Sequence, residues 1–297
     1  MARHVNTRRQ FLASIGATVP SAAAAGVGIV DTHTHFYDPS RPQGVPWPPR
    51  TEPSLYRKVL PDEYIRMVRP LGVTGTIVVE ASAWLEDNQW LLDLAASTPF
   101  IVGVAGRLEA GEPGFDANLE RFRRDRLFLG IRLAGAVLAE RLARPEFLGD
   151  VKLLSEAGLA LDVLGDAASF SHILRLTDRV PRLRVVINHL PVDGSEPMLG
   201  EFRHRPLIFA KVSGVLRRVN GRVPANTAYY RESLDRLWDA FGEDRLIYGS
   251  NWPVSDRMAP YATVLDVVRE YFQSKGAAAG SRFFHENSKA AYRWAPR

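Results

Sequence analysis

Apolar residues along this chain gather into eight short runs, each too brief for a buried helix. They occupy 29–32 (IVDT), 75–80 (GTIVVE), 100–104 (FIVGV), 128–132 (FLGIR), 159–164 (LALDVL), 184–188 (RVVIN), 207–212 (LIFAKV) and 245–249 (RLIYG). Short, near-continuous apolar character rich in β-branched side chains predicts strands covered on both faces. Between them lie stretches of helical periodicity at 61–69, 87–97, 115–124, 146–157, 167–178, 227–241 and 260–274. In 227–241, Tyr230, Leu234, Leu237, Trp238 and Phe241 recur at helical spacing, which assigns them to core packing rather than to a ligand. Strands alternating with helices predict one α/β domain, a (β/α)8 TIM barrel over 26–297. A doubly wound sheet is the alternative, and the lack of G-x-G-x-x-G after the first strand counts against it.

Composition narrows the function classes. The 297 residues contain no Cys. That excludes a disulfide scaffold, a Cys nucleophile, a thiolate zinc site and an iron–sulfur cluster. No apolar run has the length of a transmembrane helix. The net charge of +5 owes three units to Arg3, Arg8 and Arg9 in an acid-free leader. The remaining +2 is no footprint for nucleic acid, and the basic clusters at 121–126 and 217–222 are local.

Residues 1–25 have a charged head, a short apolar stretch and an Ala-rich end, the layout of a signal peptide. Arg8 and Arg9, followed by Phe11 and Leu12, resemble the twin-arginine (Tat) export motif. The expectation is export through the Tat translocase to the periplasm or beyond. A disordered tail on a cytoplasmic protein is the alternative.

On a barrel, functional groups sit at the C-terminal ends of strands and in the following loops. Those positions carry Asp31-Thr32-His33-Thr34-His35, Glu80, Arg107, Arg132, Asp162, Asn188-His189, Lys211, Ser213 and Ser250-Asn251-Trp252-Pro253. His33 and His35 are two apart on an extended strand, so their side chains share a face. With His189 they can hold one divalent metal or polarise one carbonyl oxygen directly. The residues leave both open, and three histidines with Glu80 as a fourth ligand suit zinc or manganese alike. The six-proline stretch 36–56 reads as a stiff cover loop with Trp47 as a pocket wall.

These residues and motifs resemble the amidohydrolase-related family. D-T-H-T-H-F-Y-D-P opens the barrel, with G-I-R in strand four, I-N-H in six, K-V-S-G in seven and Y-G-S-N-W-P-V after eight. E-N-S-K-A-A-Y-R-W near the end is similar to that branch's closing helix. The branch includes sugar lactonases and pyrone-dicarboxylate lactonases. The resemblance implies that His33, His35 and His189 surround a substrate carbonyl and that Arg132 holds a substrate oxygen.

It also implies an Asp after the Gly-Ser of strand eight to activate water, but here the residue is Asn251. An amide takes no proton near neutral pH. Glu80 stands where relatives commonly carry Gln, which makes it the candidate base or metal ligand. Its alternative is a structural ion pair with Arg107 or Lys211, and Asp256 is a second candidate base. Arg217 and Arg218 follow strand seven and would bind a substrate carboxylate if they line the pocket, with Lys211 and Trp252 completing it. The expected activity is lactone hydrolysis of a sugar acid or carboxylated small molecule. The alternatives are decarboxylation of an aromatic acid and a degenerate barrel that binds a ligand without turnover.

Overall fold

The computed structural model describes residues 28–190 and 196–297. The leader at 1–25 and its export motif lie outside them. Eight parallel strands run in sequence order: β1 (Ile29–Thr34), β2 (Val73–Val79), β3 (Ile101–Gly106), β4 (Phe128–Ala134), β5 (Ala160–Leu164), β6 (Arg184–Leu190), β7 (Ile208–Val212) and β8 (Leu246–Tyr248). Seven adjacent pairs form parallel ladders. The β8–β1 seam is joined differently. Thr32 Oγ1 donates to the Tyr248 carbonyl at 2.6 Å, Asn251 N–H to His33 O at 2.8 Å and His35 N–H to Trp252 O at 2.9 Å. These bonds bring the polar end of β1 against the loop after β8.

The expected helices appear as α1 (Pro61–Val68), α2 (Asp87–Ser97), α3 (Phe115–Phe122), α5 (Pro145–Glu156), α6 (Ser169–Arg179), α8 (Thr227–Phe241) and α9 (Tyr261–Ser274). Pro61 and Pro145 open theirs, where a missing N–H costs nothing. The Asn226 side chain accepts from Tyr229 N–H at 2.9 Å and caps α8. Four short helices escaped the periodicity: α4 (Gly135–Arg141), α7 (Glu196–Leu199), α10 (Ala277–Ser281) and α11 (Asn287–Tyr292). The sequence similar to a closing helix straddles the π-helical stretch Arg282–Glu286 and α11. None of the described helices is long and apolar enough to cross a membrane.

Tyr230, Leu234, Leu237 and Phe241 are buried as their spacing predicts. Trp238 is partly buried and packs against the same core. The strands' inward side chains fill the barrel below its catalytic face, with Val30, Ile77, Val102, Leu129, Val186, Phe209 and Ile247 in one cluster.

Candidate active site

A cavity of about 360 Å3 opens at the C-terminal face of the barrel. His35, His189, Asn251, Glu80 and Arg132 contribute polar groups to it, and Trp47, Leu164 and Val254 contribute apolar wall. Trp47 comes from the Pro-rich cover loop, its ring centroid 5.7 Å from that of His35.

His35 and His189 are at the cavity, and His33 packs beneath them. Their ring centroids lie 5.0 Å and 4.4 Å from His33, which is fully buried and does not line the cavity. His35 Nδ1 is 2.9 Å from the Val79 carbonyl; donating to it fixes the tautomer and leaves Nε2 with the lone pair. His189 Nδ1 lies 3.1 Å from Ser213 Oγ. Both ring nitrogens of His33 are buried without a hydrogen-bond partner. Burial, and then the nearby Arg132 charge, push His35 and His189 down to about 3. Burial and the adjacent His189 hold His33 well below the usual histidine range. All three rings are therefore neutral at neutral pH.

The backbone that presents these groups is unusual. His189 and Asn251 both have φ of 61°, in the left-handed region. Asn tolerates that region better than most residues. Beneath them Asp31 is fully buried and accepts four hydrogen bonds. Tyr64 and Tyr261 hydroxyls donate at 2.8 and 3.0 Å, and the N–H groups of Ser250 and His33 at 2.9 and 3.1 Å. Asp31 thus holds the ends of β1 and β8 in register, although burial raises its pKa. No local spacing marks this role, because two of the donors, Tyr64 and Tyr261, come from distant helices.

Glu80 is buried at the cavity edge, and its partner is Arg132 rather than Arg107 or Lys211. Arg132 Nε donates to Oε1 at 2.9 Å and Nη2 to the Glu80 carbonyl at 2.5 Å. Arg107 also lines the cavity, but Glu109 holds it at 2.7 Å.

Several expected site residues lie elsewhere. Lys211 is sealed in the barrel interior, 2.6 Å from Asp162 Oδ2, with Tyr292 and Asn188 completing the carboxylate's partners. Arg217 donates to Ser233, and Arg218 to the carbonyls of Gly221 and Arg257; neither lines the cavity. Trp252 is fully buried, packed against Phe36 and Tyr64 as core rather than wall. Asp256 is exposed on a short turn of helix and does not reach the cavity. Conversely, Leu164 and Val254 are walls that no polar signal marked.

The donor chemistry suits a divalent cation: three neutral imidazoles lie together, and the His33 nitrogens lack partners. Among the described residues, however, no three His, Asp or Glu side chains have the spacing of a formed ion site. Glu80, expected as a fourth ligand, is engaged by Arg132 instead.

Comparison with known proteins agrees with this architecture. The L-fucono-1,5-lactonase of Burkholderia ambifaria is 29% identical over 240 residues, covering 76% of this chain and 80% of that protein. An L-fucono-1,5-lactonase from Burkholderia multivorans is 25% identical over 278 residues, covering 84% and 90%. A solved amidohydrolase from Burkholderia multivorans with bound zinc matches at TM-score 0.80 and 23% identity, over 91% of this chain and 100% of that one. The amidohydrolase family model matches residues 30–294, which is the whole barrel, and the chain belongs to the amidohydrolase family.

Proposed function

We propose that this protein hydrolyses an uncharged lactone. The observation that carries the proposal is the grouping of neutral His35 and His189 with the Glu80 carboxylate around one cavity. The two lactonase relatives support the same reaction class.

The chain's own groups suffice to describe the reaction. Water adds to the lactone carbonyl. Arg132 occupies Glu80 Oε1, so Oε2 is available to accept the water proton. General-base help of this kind is worth roughly 10²–10⁴ in rate. In the tautomer whose Nδ1 accepts from Ser213 Oγ, 3.1 Å away, His189 presents Nε2–H to the developing oxyanion. Asn251 can donate a hydrogen bond there but cannot act as base. The ring C–O bond then breaks, and protonated Glu80 returns its proton to the leaving alkoxide. The product is an open-chain hydroxy acid.

The cavity's cations define the substrate's charge. Arg132 and Arg107 are paired with Glu80 and Glu109, and the buried pair of Lys211 with Asp162 is closed to solvent. No unpaired cation among the described lining residues is offered to a substrate carboxylate. This favours a neutral sugar-type lactone over a carboxylated one.

A divalent cation is the cofactor that the zinc-bearing neighbour supports. When bound it would be held by His33, His35 and His189, the last in the tautomer whose Nδ1–H donates to Ser213 and whose Nε2 is free to ligate, and it would polarise the carbonyl as a Lewis acid.

Acid release from a panel of neutral and carboxylated lactones tests the proposal. Turnover of neutral members supports it. Preference for carboxylated lactones would overturn the charge argument. Carbon dioxide release from an aromatic acid, with no lactone opened, would replace the hydrolase reading by the decarboxylase one.

A further inference from the structure

A second cavity of about 390 Å3 adjoins the catalytic one. Ala134 and Leu164 line both, so the two are continuous at the ends of β4 and β5. Leu164 is 38% exposed at a strand end, where barrel enzymes place polar functional groups. Ala136 and Ala139 of α4 form one side of the groove.

Gly135, at the start of α4, and Gly165, just after β5, pack against each other and against Ser169 at the start of α6. A Cβ on either would lie 2.2 or 2.0 Å from Ser169 Oγ. Glycine is required there, and bare backbone borders the groove. One oxygen of its acidic group is held within the fold: Asp166 Oδ1 accepts from Ala168 N–H at 3.0 Å and from Ser169 Oγ at 3.4 Å, at the start of α6. What remains for a ligand is mainly apolar surface of small side chains, with the His172 ring beside it, its Nδ1 buried without a hydrogen-bond partner, reached across an exposed leucine.

We propose that this groove is a substrate subsite: the lactone opened in the catalytic cavity carries an alkyl arm that crosses Leu164 and lies along α4. The inference rests on the lactonase reading and extends it to the substrate class. Shared walls make the arm part of the substrate rather than a separate ligand.

The test is a homologous series of δ-lactones, from a methyl to a pentyl side chain, assayed on the full chain. Each added methylene leaves water on binding, so kcat/KM should rise about fourfold per carbon. In Ala139→Trp or Ala136→Phe, which fill the groove from exposed helix positions, the pentyl-to-methyl ratio should fall at least tenfold. A flat series in the unmodified protein, or a slope untouched by both variants, overturns the subsite. A parallel series of 2-alkyl tetrahydropyrans, which cannot be hydrolysed, is read as melting-temperature shifts. If no lactone is opened, the hydrolytic reading fails, and the melting series alone judges the groove. Shifts that grow with chain length, and are lost in Ala139→Trp, uphold it; shifts independent of chain length overturn it.

Discussion

Arg132 grips Glu80 twice, through the carboxylate at 2.9 Å and through the backbone carbonyl at 2.5 Å. The pair is nearly buried, with side chains 11% and 7% exposed. The backbone contact anchors the planar guanidinium, which then presents Nε to one oxygen of the carboxylate. Glu80 is therefore oriented before substrate arrives.

Arg132→Lys should keep the charge and lose that orientation, because an ammonium cannot reproduce the planar fork. Steady-state kinetics should show kcat lowered by roughly tenfold to a hundredfold, consistent with the cost of small misplacement. Unchanged kcat would show that the second contact is idle.

Lys211 and Asp162 are both fully inaccessible and 2.6 Å apart. Lys211→Met leaves a buried carboxylate with only Tyr292 and Asn188, and should cost about 3–5 kcal/mol in chemical denaturation. Adding Asp162→Leu should recover a large part of that loss. A double variant as unstable as the single one would mean that the pair's geometry, rather than its charge balance, holds the barrel.

The histidines give stability a pH dependence. Their folded pKa values, about 3 for His35 and His189, lie below the unfolded value of 6.5. Between those limits the unfolded chain binds more protons, so stability falls as pH drops from about 6.5 towards 3. Each fully neutral ring contributes up to about 1.4 kcal/mol per pH unit in that window. Urea denaturation at pH 7 and pH 5, with chelator present, should show the loss, and His189→Asn should reduce its slope. An unchanged slope in His189→Asn would mean that this ring titrates normally.

Zinc added to chelator-stripped protein should raise the melting temperature by about 5 °C at a hundredfold excess over Kd. His33→Ala, which removes a ring whose two nitrogens are both buried without a partner, should abolish the shift. A shift that survives in His33→Ala would place the ion elsewhere.

Much of the barrel was legible because each strand is a short apolar run bounded by polar residues, and run length separates strand from helix. The helix Gly135–Arg141 was not, since it opens on glycine and spans only seven residues. The site's partners were harder to read than its members. Glu80 follows β2 and Arg132 lies in β4, while Asp162 lies in β5 and Lys211 in β7. In a barrel, side chains from alternate strands share a layer, so both pairs skip a strand and no local spacing announces them. Trp252 illustrates the opposite error: an aromatic after a strand reads equally as pocket wall or core, and burial decided for core.

The most direct test of the account is the kcat/KM of Glu80→Gln on the best neutral lactone, beside Glu80→Gln/Asn251→Asp. The account predicts a fall of about 10²–10⁴ in the single variant. It predicts a partial return, of at least tenfold, when a carboxylate is restored across the cavity at position 251. A Glu80→Gln protein that folds normally and keeps full activity would contradict the assignment of Glu80 as base.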